Sequence, residues 1–275
     1  MFTRTTKLYI FLAFVGLVVL TLFPVIGEAQ TTQPRPFVGR YQLTMGPPTS
    51  ANSSITGLTG SYDLRVELRC DGWLTTEVMD FTMQTATGPL PRTSARSRAW
   101  ESMDGRGYRY QLTVSRGNQI VEEVDVKAVM AGTGQPGKAE FTKPKTRSVD
   151  LSPGTMFPHD YMLFLAEQAA IGQNFAGRTV FPGWGPGKPL SYAARMGPPE
   201  NTPAGQTNGL DAIGASVYWP MEMVISDPAT GQSLLKQAMT LRADGIAGSY
   251  LFDYTTFTMS ARLAQVQALP LPKCN

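Results

Sequence analysis

The residues in this sequence that could carry chemistry are few, and the histidine is the first of them. His159 is the only histidine in the chain, which excludes a cluster of histidine metal ligands. One histidine could act as a general base, but no serine or cysteine in a recognisable nucleophile setting accompanies it. Its place in the first turn of a predicted helix favours a neutral or capping role.

Two further motifs resemble catalytic or nucleotide-binding signatures. Ser233-Leu234-Leu235-Lys236 matches the S-x-x-K motif of serine acylases, yet it opens a predicted strand and has no K-T-G companion. Gly183–Lys188 resembles a phosphate loop, but Pro182 and Pro189 replace the required glycine and hydroxyl residue. We interpret this segment as a rigid turn. Acidic residues are scattered, and spacing alone does not pair them for acid–base catalysis.

Residues 1–29 predict a signal peptide. Arg4 and Lys7 precede an apolar run from Leu8 to Ile26, and Gly27-Glu28-Ala29 supplies small residues at the cleavage position. We expect export to the periplasm with cleavage after Ala29, and no transmembrane span after that cleavage. The alternative is an uncleaved anchor helix, because about 20 apolar residues suffice to span a bilayer.

The expected export of the protein determines how its two cysteines are interpreted. In an oxidising compartment, Cys70 and Cys274 are expected to form a disulfide. It would tie down the proline-rich end of the chain, which would otherwise fray. The alternative, a reactive redox pair, usually requires a Cys-x-x-Cys motif or a neighbour that stabilises the thiolate. Neither is present.

The remaining sequence predicts one mainly β domain over residues 37–275, preceded by a flexible lead-in over residues 30–36. The 27 glycines and 21 prolines suit short strands joined by turns. Apolar residues alternate over Tyr62–Cys70, and Asp71-Gly72 predicts a hairpin to Trp73–Met83. Further strands are predicted at Arg96–Ser102, Tyr108–Val114, Ile120–Val129, Phe141–Val149, Arg178–Phe181, Leu190–Arg195, Ala215–Ser226, Leu234–Arg242, Ser249–Phe257 and Thr258–Leu269. The charges are interspersed, which leaves nucleic-acid binding unsupported.

One segment predicts a helix. Met162, Leu165, Ala166 and Ala169 follow helical spacing, so we expect an amphipathic helix over about residues 158–171. Pro158 suits the first turn and Gly172 suits the end. A meander of antiparallel strands wrapped around this helix is the predicted architecture.

Four stretches resemble the alphaproteobacterial envelope integrity protein B family. Their order along the chain carries the resemblance: Arg69–Trp73, Gly154–Pro158 before the helix, Trp219-Pro220, and Leu241–Tyr254 with the terminal Pro272-Lys273-Cys274. The resemblance implies a periplasmic β-spiral, an open barrel-like sheet around a helix, with a disulfide between Cys70 and Cys274. It also implies a role in envelope integrity without known catalysis, no cofactor, and partnership with a periplasmic tetratricopeptide-repeat protein.

Two functions from different classes follow. The first is a non-enzymatic envelope protein that binds a protein partner or an apolar cargo, such as a lipoprotein or lipid, on the concave face. The 13 methionines would suit such a surface, although filling the core is the favoured interpretation of them. The second is a carboxylate-dependent hydrolase of the cell envelope. Clustered buried carboxylates would favour the hydrolase, and an apolar groove would favour the binding protein.

Overall fold

The computed structural model describes residues 34–47, 54–201 and 217–274. Within these residues the chain forms one sixteen-stranded antiparallel sheet and one helix, α1, at Pro158–Ala170. The strands before the helix are β1 Phe37–Met45, β2 Ile55–Arg69, β3 Gly72–Thr85, β4 Gly88–Pro89, β5 Thr93–Ser102, β6 Gly107–Arg116, β7 Gln119–Met130, β8 Gly137–Lys143 and β9 Arg147–Leu151. Those after it are β10 Phe175–Val180, β11 Leu190–Met196, β12 Glu200–Asn201, β13 Val217–Ser226, β14 Ser233–Arg242, β15 Ala247–Asp253 and β16 Thr258–Ala268.

Strand β1 joins the two ends of the chain within the sheet. It pairs with β2 on one side and with β16 on the other, so strands from the start and the end of the chain are neighbours. No strand was predicted at this position from the sequence, and Gly39 occupies one of its inward-facing places. A Cβ on Gly39 would lie 3.1 Å from the Tyr41 ring and 3.2 Å from Leu263. Glycine therefore allows neighbouring side chains to pack closely against the backbone of β1 at this position.

The sheet is long and is not closed into a barrel. Its path runs from β10 through β11, β13 to β16, and β1 to β9, apart from the two-residue strands β4 and β12, which pair at its side. Near the two ends, Met156 forms a parallel bridge with Val180, and its backbone bonds to Thr179 and Phe181. The predicted mainly β fold, with an open sheet around a helix, is confirmed.

The sheet curls around α1. Tyr161, Leu165, Ala166 and Ala169 are buried against the inner face of β10, β11, β13 and β14. The start of the helix instead meets the other half of the sheet, where the His159 ring lies 4.5 Å from that of Trp73 on β3. The sequence pattern predicted that Met162 lies on the buried face of the helix. Met162 is only partly buried. Tyr161, four residues before Leu165, lies on the buried face instead.

Other expectations are corrected at the boundaries. Phe141–Val149 is not one exposed strand: β8 and β9 form a hairpin through Pro144, and Phe141 is buried. The last three residues of the predicted flexible lead-in, Pro34–Pro36, belong to the folded unit. The backbone N–H of Arg35 donates to the Asp244 carbonyl, and the backbone N–H of Leu269 donates to the Pro36 carbonyl. The predicted signal peptide lies outside the described residues.

The structure joins Cys70 to Cys274 by a disulfide across a sequence separation of 204 positions. Cys70 directly follows β2, and Cys274 follows the irregular segment after β16, so the bond fastens that segment to the β2–β3 turn. Among the described residues, no helix is long and apolar enough to cross a membrane.

Candidate functional site

A cavity of about 420 Å³ lies between the start of α1 and the inner face of the sheet. One wall comes from β2, β3, β5 and β6, and the facing wall comes from β11, β13, β14 and β15. Much of the lining is apolar, including Leu64, Val66, Met79, Met162, Leu163, Met223, Ile225, Leu235 and Phe252. Volume and lining are those of a small-molecule binding site.

Strand periodicity explains how the sequence builds this lining. Successive side chains on a strand point to opposite faces of the sheet, so every second residue faces the cavity. On β2 these residues are Tyr62, Leu64 and Val66, and the same alternation holds on the other walls with Thr75, Glu77 and Met79, Ala99 and Glu101, Tyr108 and Tyr110, Met223 and Ile225, Leu235 and Gln237, and Tyr250 and Phe252. The site is therefore spread over many strands and has no local motif.

Glu101 is the most deeply buried charged group of the lining. It is 2% exposed, and its two carboxylate oxygens accept the backbone N–H groups of His159 at 2.7 Å and Asp160 at 3.2 Å. These N–H groups belong to the first turn of α1, which has no side-chain cap from Phe157. Burial raises the pKa of Glu101 to about 8, although both hydrogen bonds oppose that shift.

Burial also shifts the pKa values of the two residues that contact Glu101, His159 and Asp160. Burial lowers the pKa of His159 to about 4, so its ring is neutral at physiological pH. Burial, followed by the nearby Asp104 carboxylate, raises the pKa of Asp160 to about 6. The start of the helix is thus a desolvated region that carries little charge.

A second carboxylate, Glu77, lines the wall opposite the helix body. One of its oxygens accepts the Tyr62 hydroxyl at 2.6 Å, and the other accepts the Ser97 hydroxyl at 2.6 Å. The hydroxyl of Tyr108, which also lines the cavity, donates to the Pro182 carbonyl at 2.8 Å. These polar groups are already engaged with protein partners.

Two polar atoms of the lining residues are buried without a hydrogen-bond partner. They are the Tyr161 hydroxyl and the His159 Nε2 atom. An unpaired buried polar atom usually costs free energy and calls for an explanation. Both atoms are covered by protein and expose almost no surface to the cavity.

The residues singled out by sequence motifs lie in different places. His159 is in the first helical turn and lines the cavity. Ser233 and Lys236 are exposed, and a β-bulge at the start of β14 separates them. Neither residue lines the cavity. In the Gly183–Lys188 turn, the three glycines have positive φ, and Lys188 pairs with Asp227 at 2.7 Å. The segment is a turn, as predicted, and its Trp184 lines the cavity.

Sequence reasoning missed Glu77 and Glu101. The signal that could have found them is a charged residue at an inward position of an alternating strand, such as Glu101 two residues after Ala99. Within the described parts of the chain, no group of three or more His, Cys, Asp or Glu side chains could hold a metal ion.

Comparison with known proteins agrees with this architecture. The model of the EipB-like family matches residues 28–270. A solved structure, described as a beta-barrel-like protein of domain of unknown function DUF1849 from Brucella abortus, is similar at a TM-score of 0.79 and 22% identity, and the match covers 86% of this chain and 99% of the other. No protein with a curated description matches the sequence. The family match spans most of the chain, and the chain therefore belongs to the EipB-like family.

Proposed function

We propose that this protein is a non-enzymatic periplasmic protein that contributes to the integrity of the cell envelope by binding an apolar or amphipathic cargo. The observation that carries the proposal is the 420 Å³ cavity between α1 and the sheet, with its mainly apolar lining. Family membership supports an association with the envelope.

The polar groups of the cavity favour a cargo that is not purely hydrocarbon. Apolar side chains on both walls would hold an alkyl chain, because burying each methylene group contributes about 0.8 kcal/mol. Gln237 and Thr75 also line the cavity, and an amide or hydroxyl group of this kind can donate a hydrogen bond to a carbonyl or carboxyl oxygen of the same molecule. An acyl chain with one polar end combines both features.

The competing function is a carboxylate-dependent hydrolase of the envelope. Glu77 and Glu101 are inward-facing carboxylates, as such an enzyme would require. Each nevertheless has both oxygens engaged, Glu77 by two hydroxyl groups and Glu101 by two backbone N–H groups. Such contacts suit structural roles better than proton transfer to a substrate.

Protein partners are the other binding mode predicted from the sequence. The methionines supply little exposed surface for one: Met196, Met221, Met223, Met239 and Met259 are all buried in the core. Core filling is therefore their main role. This favours the cavity over a methionine-rich outer surface as the binding site.

Titration with the fluorescent fatty acid dansyl-undecanoate tests the proposal. Ala99→Phe would fill the cavity from β5, and Ala193→Phe makes the same change on the outer face of β11 as a matched control. We expect saturable binding to the parent protein, at least about tenfold weaker binding to Ala99→Phe, and parent-like binding to Ala193→Phe. Equal affinities for all three proteins would refute a cavity site.

Cellular assays test the envelope role. In a strain lacking the protein, the parent sequence should restore resistance to detergent, and Ala99→Phe should not, although both accumulate in the periplasm to the same level. Full complementation by Ala99→Phe would separate the envelope role from cargo binding. Recovery of the protein in the cytosol would contradict the periplasmic location.

A further inference from the structure

A second concavity lies on the outer face of the sheet, away from the helix. Its volume is about 620 Å³, and cationic side chains from four strands and turns line it. We call Arg69, Arg98, Trp100, Arg109 and Lys127 the arginine groove. Their outward direction follows from strand alternation, because the neighbouring residues on β5 and β6 line the inner cavity.

The strand register concentrates these charges. Trp100 on β5 pairs with Arg109 on β6, and Arg109 pairs with Lys127 on β7. Arg109 and Lys127 are therefore like charges directly opposite each other on adjacent strands, an unfavourable pair. On its other side Lys127 faces Glu140 of β8, which offsets the repulsion at Lys127 but not at Arg109.

The acidic residues nearby do not neutralise the groove. Within the described residues, no carboxylate lies within 4.0 Å of the charged nitrogens of Arg98, Arg109 or Lys127. Asp71 and Asp125 also line the concavity, and Asp125 accepts a hydrogen bond from Gln111 at 3.1 Å. Glu67 pairs with Arg69 at 3.6 Å, and Glu140 lies opposite Lys127 on β8. The excess of positive charge is therefore concentrated at Arg98 and Arg109.

The floor of the groove adds apolar surface and orients one guanidinium group. Leu74 is buried at the base, and the Trp100 ring is partly buried beside it. The Arg109 guanidinium lies 5.3 Å from the centroid of the Trp100 ring, a cation–π contact that restricts the arginine side chain. An arginine held in this way loses less entropy when it binds a carboxylate.

We propose that the arginine groove binds an extended acidic segment of a partner protein. Carboxylates of such a segment would form bidentate hydrogen bonds with Arg98 and Arg109. An anionic bilayer is a weaker fit, because a flat surface meets protruding side chains, whereas these cations line a concavity with Trp100 at its floor. The proposal does not depend on the inner cavity, because the groove lies on the opposite face.

Fluorescence anisotropy with a labelled peptide of alternating glutamate and serine tests this assignment. We expect binding that weakens as sodium chloride rises from about 50 to about 300 mM. Arg98→Glu/Arg109→Glu should weaken it at least about tenfold. The control Arg195→Glu/Arg262→Glu changes the net charge equally, at exposed outer positions on β11 and β16, and should stay within about twofold of the parent.

A single charge reversal separates binding from folding. Lys127→Glu gives Arg109 an opposite charge on β7 but faces Glu140 on β8, so the two effects on stability offset each other and the melting temperature should stay within about 2 °C of the parent. Peptide affinity should nevertheless fall at least about fivefold. The proposal would be overturned if the groove double variant and the control double variant lost peptide affinity equally. Parent-like peptide affinity of Lys127→Glu would overturn it as well. Tighter binding to phosphatidylglycerol vesicles than to the peptide, lost in the groove double variant, would assign the groove to a membrane instead.

Discussion

The Oε1 atom of Glu101 lies 2.7 Å from the backbone nitrogen of His159, although the two residues are 58 positions apart. A strand residue thereby caps a helix that has no side-chain cap of its own. N-terminal caps contribute typically about 1 kcal/mol to stability. This contact also fixes the start of α1 against β5, where the cavity wall is formed.

The raised pKa of Glu101 predicts a pH dependence of stability. The folded state binds the proton with a pKa of about 8, above the usual value near 4.3, so the free energy of unfolding should decrease as pH rises towards 8. The limiting slope is about 1.4 kcal/mol per pH unit. Urea unfolding between about pH 6.5 and about pH 8 measures it.

Variants assign that slope to Glu101. His159 and Asp160, with pKa values of about 4 and 6, change the stability mainly below this range. Glu101→Gln should therefore remove the slope, whereas Glu140→Gln, an exposed change on β8, should keep it. An unchanged slope in Glu101→Gln would contradict the assignment.

The tyrosine hydroxyl groups give a matched pair of predictions. Tyr108→Phe should lower the free energy of unfolding by about 1 kcal/mol, because the buried Pro182 carbonyl loses its donor. Tyr161→Phe removes a buried hydroxyl that has no partner, so it should be neutral or stabilising. Chemical denaturation of both variants measures the difference, and the same cost for both would show that the Tyr161 hydroxyl is bonded in solution.

Loss of the disulfide should destabilise the protein without rearranging its core. The bond joins residues 204 positions apart, and removal of such a bond typically costs about 2–5 kcal/mol. Cys274→Ser, Cys70→Ser and the double variant should therefore be about equally destabilised. A double variant much less stable than either single variant would indicate additional roles for these residues.

Local periodicity made part of the fold predictable. The β2–β3 hairpin and the start of α1 lie where alternation, Asp71-Gly72 and Pro158 placed them, because short-range patterns determine both. The β1 strand was not predictable in this way. Gly39 interrupts its pattern, and its pairing with β16 joins residues more than two hundred positions apart.

The candidate site depended on long-range geometry. The sequence identified His159 as a helix-start residue but could not show that Glu101 lies beneath it. The charges also read as interspersed along the chain, and only the pairing of Arg109 with Lys127 across two strands concentrates them in the arginine groove. Properties that arise from strand register have no signature in a short stretch of sequence.

Quenching of tryptophan fluorescence by a brominated acyl chain tests cargo binding in the cavity most directly. Trp184 lines the cavity, whereas Trp100 lies on the outer face. Trp73 is also close to the cavity, because its ring lies 4.5 Å from that of the lining residue His159. We expect a dibrominated stearate to quench the parent protein and the Trp100→Phe variant, and to lose part of its effect in Trp184→Phe and most of it in Trp73→Phe/Trp184→Phe. Quenching that persists in Trp184→Phe and disappears in Trp100→Phe would contradict the inner cavity as the binding site.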